Sequence, residues 1–256
     1  MRATIASANH KGGVGKTVTA VNLAGGLALS GRRTLLVDVD PQAHATLWFA
    51  DPADVDHDLE DVVIHGLPTK DAVMPTRLEG LDLLPATLAL ARLDLEMVGL
   101  ARREDRIRRA LAAVDDGYDY VILDLSPSLT LPALGALVAS THIVAPVSAL
   151  KLSMAALGTF LGWLDEFRRE DVITAELLGV LVTMTESRSR STREVLEALE
   201  ASDLPVFGTS IPKRVAVEDQ VGARSLAVEE QDGAVGDAYR ALVSDVIARI
   251  EGADGR

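Results

Sequence analysis

A β-branched run from Thr4 to Ala8 leads directly into Asn9-His10-Lys11-Gly12-Gly13-Val14-Gly15-Lys16-Thr17, and a helix-like stretch follows from Val18 to Ser30. No other feature limits the possible folds as much. Gly12, Gly13 and Gly15 give access to backbone angles closed to other residues and leave no Cβ between chain and ligand, so successive amide N–H groups around Val14 can converge on a polyphosphate. A helix beginning near Thr17 adds unpaired N–H groups and its positive dipole end. In that geometry Lys16 reaches the β- and γ-phosphates and the Thr17 hydroxyl ligates Mg²⁺. Strand, glycine loop, Lys-Thr and helix in this order form the first unit of a parallel sheet.

The rest of the chain continues the pattern. Strands are expected at Thr4–Ala8, Thr34–Val39, Leu81–Leu84, Tyr120–Leu125, Ile143–Val147, Leu178–Thr183 and Val206–Gly208. Helices are expected at Val18–Leu29, Arg102–Val114, Leu131–Ala139, Ser153–Arg169, Ser191–Ala201 and Val235–Ile250. Phe49–Thr76, with three prolines, reads as loop with one short helix. The fold class is α/β: a doubly wound, mostly parallel sheet flanked by helices on both faces. At 256 residues and 48% hydrophobic, the chain is expected to form one domain over 1–256. With only Met1 and Arg2 before the first strand, no separate N-terminal DNA-binding domain is expected. No apolar run reaches membrane-span length and no signal peptide is visible, so a cytoplasmic protein is expected. The absence of cysteine excludes disulfides, thiolate metal sites and iron–sulfur clusters.

Two strand ends carry carboxylates. Thr34-Leu-Leu-Val runs into Asp38-Val39-Asp40-Pro41-Gln42, with Asp38 and Asp40 on one side by period two. Asp124 closes the apolar run Val121-Ile-Leu and reads as the carboxylate that holds Mg²⁺. The loop itself departs from G-x-x-x-x-G-K-[ST]: His10 stands where glycine is expected, and Lys11 adds a second lysine. Lys11 is either a solvated surface lysine or needs another anion, for which a nucleotide on a facing subunit is a candidate.

These residues resemble the deviant Walker A ATPases of the ParA/Soj and MinD group. The resemblance rests on Lys11-Gly-Gly-Val-Gly-Lys-Thr17, Asp38-Val-Asp-Pro-Gln42 and Tyr118-Asp-Tyr-Val-Ile-Leu-Asp-Leu-Ser-Pro-Ser-Leu129, with later matches near Thr183 and Ile211. It implies a homodimer that sandwiches two ATP molecules, with Lys11 crossing to the partner's nucleotide. It makes Lys11, Lys16 and Asp40 catalytic, Asp40 positioning the attacking water. It gives Thr17 and Asp124 to Mg²⁺, and Asp38 a supporting place near Lys16 and the magnesium shell. It places adenine between Met184 and Pro212. Two departures stand out: Val18 replaces a second threonine usual in the family, and Leu125-Ser126-Pro127 replaces a small residue followed by two prolines.

A net charge of −13 argues against a general affinity for nucleic acid, but basic residues cluster locally. Arg102, Arg106 and Arg109 share one face of their expected helix. Arg188, Arg190 and Arg193 form a second group and Lys213-Arg214 a third, and these two match regions where ParA-like proteins contact DNA. The alternative for each is a solvated face. The expected partners are non-specific double-stranded DNA, bound when ATP pairs the subunits, and a ParB-like or cargo-adaptor protein that stimulates slow hydrolysis; this gives a nucleoid-associated protein. A MinD-like membrane-positioning ATPase is the main rival. Against it, Tyr239, Leu242, Val243, Val246, Ile247 and Ile250 suit core packing, and the tail after them is not basic. An ATP-dependent metabolic enzyme on the same fold is a second rival, with His44 as a histidine near the nucleotide.

Overall fold

Strands apolar on both faces need cover on both sides. The computed structural model describes residues 3–213, 225–230 and 232–252, and in it β1 (Ala3–Ser7), β2 (Thr34–Val39) and β5 (Tyr120–Leu125) are buried along their whole length. With β3 (Met74–Pro75), β4 (Leu81–Leu84), β6 (His142–Ser148), β7 (Glu176–Thr185) and β8 (Val206–Pro212) they form one sheet in the order β3-β4-β2-β5-β1-β6-β7-β8. All neighbours run parallel except the short antiparallel pair β3/β4.

Alternation along the strands divides the core. Leu35, Val37, Val121 and Leu123 pack on one face against α4 (Leu90–Val98), α5 (Arg106–Ala112), α6 (Leu131–Ala139), α7 (Lys151–Arg169) and α8 (Arg190–Glu200). Ile5, Leu36 and Ile122 pack on the other against α1 (Lys16–Leu29) and α9 (Ala234–Glu251). The α1–α9 contact is close: a Cβ on Gly26 would stand 2.5 Å from Val243 Cγ2.

The chain leaves central β1 for β2 on one side, while β5 and β6 flank β1. This is the topological switch point where open α/β sheets leave a crevice at the strands' carboxyl ends. Register aligns the chemistry there, because Asp124 on β5 pairs with Ser7 on β1 and with Asp38 on β2.

Three expectations need correction. The helix expected at Arg102–Val114 is broken: Arg102 takes φ 50° and a 3₁₀ turn at Arg103–Asp105 precedes α5, so Arg102 does not share a face with Arg106 and Arg109. Helix α4 was not expected, although Leu90, Leu93 and Met97 bury one face at helical spacing. Phe49–Thr76 holds three short helical turns, at Pro52–Asp54, Asp61–His65 and α3 (Thr69–Ala72).

Candidate active site

The glycine loop closes directly onto α1. Gly13 and Gly15 have φ of 70° and 85°, where a Cβ would be strained, and α1 begins at Lys16. Side chains from neighbouring strands hold the loop. Ser7 Oγ donates to the Lys16 carbonyl at 2.9 Å, and Thr183 Oγ1, from β7, donates to the Val14 carbonyl at 2.8 Å. Asn9 ties the loop's start to β6 by donating to the Pro146 carbonyl at 2.8 Å, and its Oδ1 accepts the Lys11 amide.

Lys16 is buried and its Nζ donates to the Lys11 carbonyl at 3.0 Å. Burial lowers its pKa; the charges of Asp124 and Asp40 act in the opposite direction. Asp38 is fully buried and accepts from the Asp40 amide, the Thr46 amide and the Thr46 hydroxyl, the last two at 2.8 Å. Burial pushes its pKa up to about 6 even so. With both oxygens engaged by the Asp40 amide and Thr46, Asp38 ties the segment that carries Asp40 to the start of the next helix. Thr46 and Ser7, which the motifs did not single out, supply this order.

Asp124 differs from its neighbours. It is fully buried and neither carboxylate oxygen has a hydrogen-bond partner among the described residues. Desolvation first and the neighbouring Asp38 second drive its pKa well up; the Thr17 hydroxyl opposes this. An orphaned buried carboxylate is costly unless something occupies it. Its oxygens, with the Thr17 hydroxyl close by, suit a hard, oxygen-seeking cation such as Mg²⁺.

A cleft of about 670 Å³ opens above these groups, lined by Gly12, Gly13, Gly15, Lys16, Thr17, Val18, Asp40, His44, Ser126, Ser128 and Met184, among others. This volume suits a nucleotide-sized ligand. Asp40 is buried and lines the cleft, its Oδ1 accepting the Gln42 amide at 2.9 Å. Met184 is exposed, with φ 56°. Pro212 does not line the cleft; it pairs with Thr185, one residue beyond Met184. Val14, within the loop, is buried and is not among the residues that line the cleft. Lys11 also stands outside the lining, and its Nζ donates to Ser153 Oγ at the start of α7.

The basic groups are less free than the sequence suggests. Arg190 is paired with Glu194 and Lys213 with Glu186, each at 2.8 Å. Arg188 and Arg193 are exposed and have no ion pair among the described residues. The Lys213 amide donates to the Thr185 carbonyl, which brings Lys213 to the segment that leads to Arg188; Arg214 lies outside the described residues. Arg106 donates to the Val63 carbonyl, and Arg108 and Arg109 lean on Asp105.

Residues 2–177 match a family model described as an AAA domain. Over 251 residues the chain is 38% identical to the chromosome-partitioning ATPase Soj of Thermus thermophilus, covering 96% of each protein. It is also 38% identical over 217 residues to the sporulation initiation inhibitor protein Soj of Bacillus subtilis, covering 84% of this chain and 86% of that one. Among solved structures, cobyrinic acid a,c-diamide synthase of Mycobacterium smegmatis, with bound ATP analog and magnesium, matches with TM-score 0.87 at 31% identity. That match covers 99% of this chain and 96% of the synthase.

Proposed function

The chain belongs to the ParA/Soj family of partition ATPases, and on that premise we propose that it binds MgATP, pairs with a second copy and, as that dimer, binds DNA without sequence preference to move or position a cargo. The observation that carries this reading is the division between the two loop lysines. Lys16 lines its own cleft, whereas Lys11 lies outside it and is held by a neutral hydroxyl. A loop cation that does not line its own cleft supports a role at a facing nucleotide. Gly12 agrees, because a Cβ there would meet nothing within 4 Å inside the subunit.

Each residue then has a task. Loop amides and the α1 N-terminus receive the phosphates, and Lys16 neutralises charge at the β- and γ-positions. Asp124 and Thr17 would hold Mg²⁺, which supplies charge neutralisation between the terminal phosphates. Asp40 orients a water for attack on the γ-phosphate, and Asp38, through the Asp40 amide and Thr46, keeps that carboxylate in place. Met184 offers an apolar surface to the base. Hydrolysis is slow until a ParB-like or cargo-adaptor partner accelerates it.

For DNA, Arg188 and Arg193 supply the unpaired charge, while the exposed pairs at Arg190 and Lys213 are weak enough, at ~0–1 kcal/mol each, to exchange a carboxylate for a phosphate. With about three contacts per subunit and six per dimer, each adding roughly −0.9 to the salt slope, only the dimer binds usefully. The test is a salt titration of fluorescent-duplex binding with ATP, ADP and no nucleotide. ATP-dependent binding is expected, with Asp40→Ala retaining the ATP-loaded complex while losing hydrolysis. Equal binding in all three nucleotide conditions refutes the gating, and parental hydrolysis by Asp40→Ala refutes the role of that carboxylate.

The likeness to the diamide synthase favours a second reading, an ATP-dependent ligase. Its mark would be ATP turnover that depends on a small-molecule acceptor. The membrane alternative has less support: Tyr239, Leu242, Val243, Val246 and Ile250 of α9 are buried in the core. No helix among the described residues is long and apolar enough to cross a membrane.

A further inference from the structure

His10 occupies the loop position where a glycine would fit the phosphate-binding pattern, and its surroundings suggest a use for its ring. The imidazole stands edge-on to Trp163 of α7, with ring centroids 5.1 Å apart and planes at 67°. Its Nδ1 is buried and has no hydrogen-bond partner among the described residues. A neutral imidazole carries one donor and one acceptor nitrogen, so a buried Nδ1 left unpaired costs energy in either tautomer. His10 also lines a small cavity of about 20 Å³ together with Ser126, Pro127, Ser128 and Leu129, the segment that begins two residues after Asp124. Ser126 and Ser128 are among the residues that line this space, whose volume is that of about one water. In this structure the Ser126 hydroxyl donates instead to the Ser128 carbonyl, within its own segment.

We propose that His10 is a positioning residue: through its buried ring nitrogen it engages the Ser126–Leu129 segment directly when a nucleotide fills the cleft. The inference rests on the ATPase reading above. Ser126 and Ser128 line the nucleotide cleft as well as the small cavity, so they border both the ligand and His10. Closing that segment onto His10 pairs the orphaned nitrogen, and Trp163 registers the change because it shares the contact. Glycine at this position would leave the segment after Asp124 without this tether.

The test uses His10→Asn and His10→Leu, near-isosteric side chains that both lose the ring contact and differ in polar atoms. In Asn, the amide stands near the place of Nδ1. The Leu variant should show kcat about fivefold below the Asn variant, the factor carried by one ordinary hydrogen bond, with KM unchanged within twofold. A packing role would move both variants equally, so equal kcat values overturn the proposal. An independent measurement uses a Trp48→Phe chain with His10 intact, which leaves Trp163 as the single tryptophan. Saturating MgATP should change its emission, and an unchanged spectrum overturns the proposal even if the Leu variant fails to fold. Failure of the unaltered chain to bind ATP in equilibrium dialysis would overturn the ATPase reading itself, and this inference with it.

Discussion

Replacing Thr183 with valine tests whether β7 holds the phosphate loop. The side chain is buried, and its hydroxyl donates to the Val14 carbonyl at 2.8 Å, the nearer of two carbonyls within its reach. Valine keeps the shape and removes the donor, so the Val14 carbonyl loses this partner in a site with little access to water. A buried polar group left unsatisfied costs about 1–3 kcal/mol. For a domain of this size each kcal/mol corresponds to a fall of roughly 2–4 °C in Tm, so a drop of about 2–12 °C is expected. The loop carries two positive-φ glycines and depends on a few side-chain ties. Its loosening should therefore also weaken nucleotide binding, by about fivefold for each kcal/mol spent on re-ordering it. Thermal unfolding and titration with a fluorescent ATP analogue measure the two effects, and Thr183→Ser, which retains the hydroxyl, should keep the parental affinity. If the valine variant binds nucleotide as tightly as the parent, β7 does not order the loop.

Gly12→Val should fold with stability within about 0.5 kcal/mol of the parent, because nothing inside the subunit lies within 4 Å of the new Cβ, yet fail to form an ATP-dependent dimer in light scattering. Asp38, raised to about 6 when folded against an ordinary value near 4, contributes stability that is present below pH ~4 and lost as pH rises through about 6; Asp124 acts in the same direction. The full two-unit shift corresponds to roughly 3 kcal/mol, of which Asp38 retains about 1 kcal/mol at pH 5.5 and almost none at pH 8, so the ligand-free protein should melt at a somewhat higher temperature at pH 5.5 than at pH 8, and MgATP, which favours ionised Asp124, should add more to Tm at pH 8. A larger MgATP increment at pH 5.5 would contradict this. The double variant Arg188→Glu, Arg193→Glu removes about four phosphate contacts per dimer and should flatten the log K against log salt slope by 3 to 4, with basal ATP hydrolysis unchanged.

Much of this protein was legible in local pattern. Lys11 to Thr17, Asp38 to Gln42 and Asp124 identified the loop and both carboxylate strands, because a phosphate cradle needs particular residues at adjacent positions and the chain order supplies them. Helix α4 escaped notice because its buried residues, Leu90, Leu93 and Met97, are interleaved with the exposed Leu95 and Val98, which blurs the period. The face shared by Arg102, Arg106 and Arg109 failed because one residue at φ 50° ends the geometry on which spacing arguments depend.

Tertiary structure decided what depends on residues far apart in the chain. Strand register placed Asp124 between Ser7 and Asp38, with no geometric hydrogen-bond partner for its oxygens among the described residues, whereas Asp38 was satisfied by Thr46; the two carboxylates look alike in sequence. It brought Thr183 to Val14 across 169 residues, and His10 to Trp163. The sequence by itself determined which groups could meet a phosphate, because that chemistry lies within nine consecutive residues. Which of them are buried, paired or left open for a ligand was settled only by the fold, because hydrogen-bond satisfaction is a property of neighbours in space.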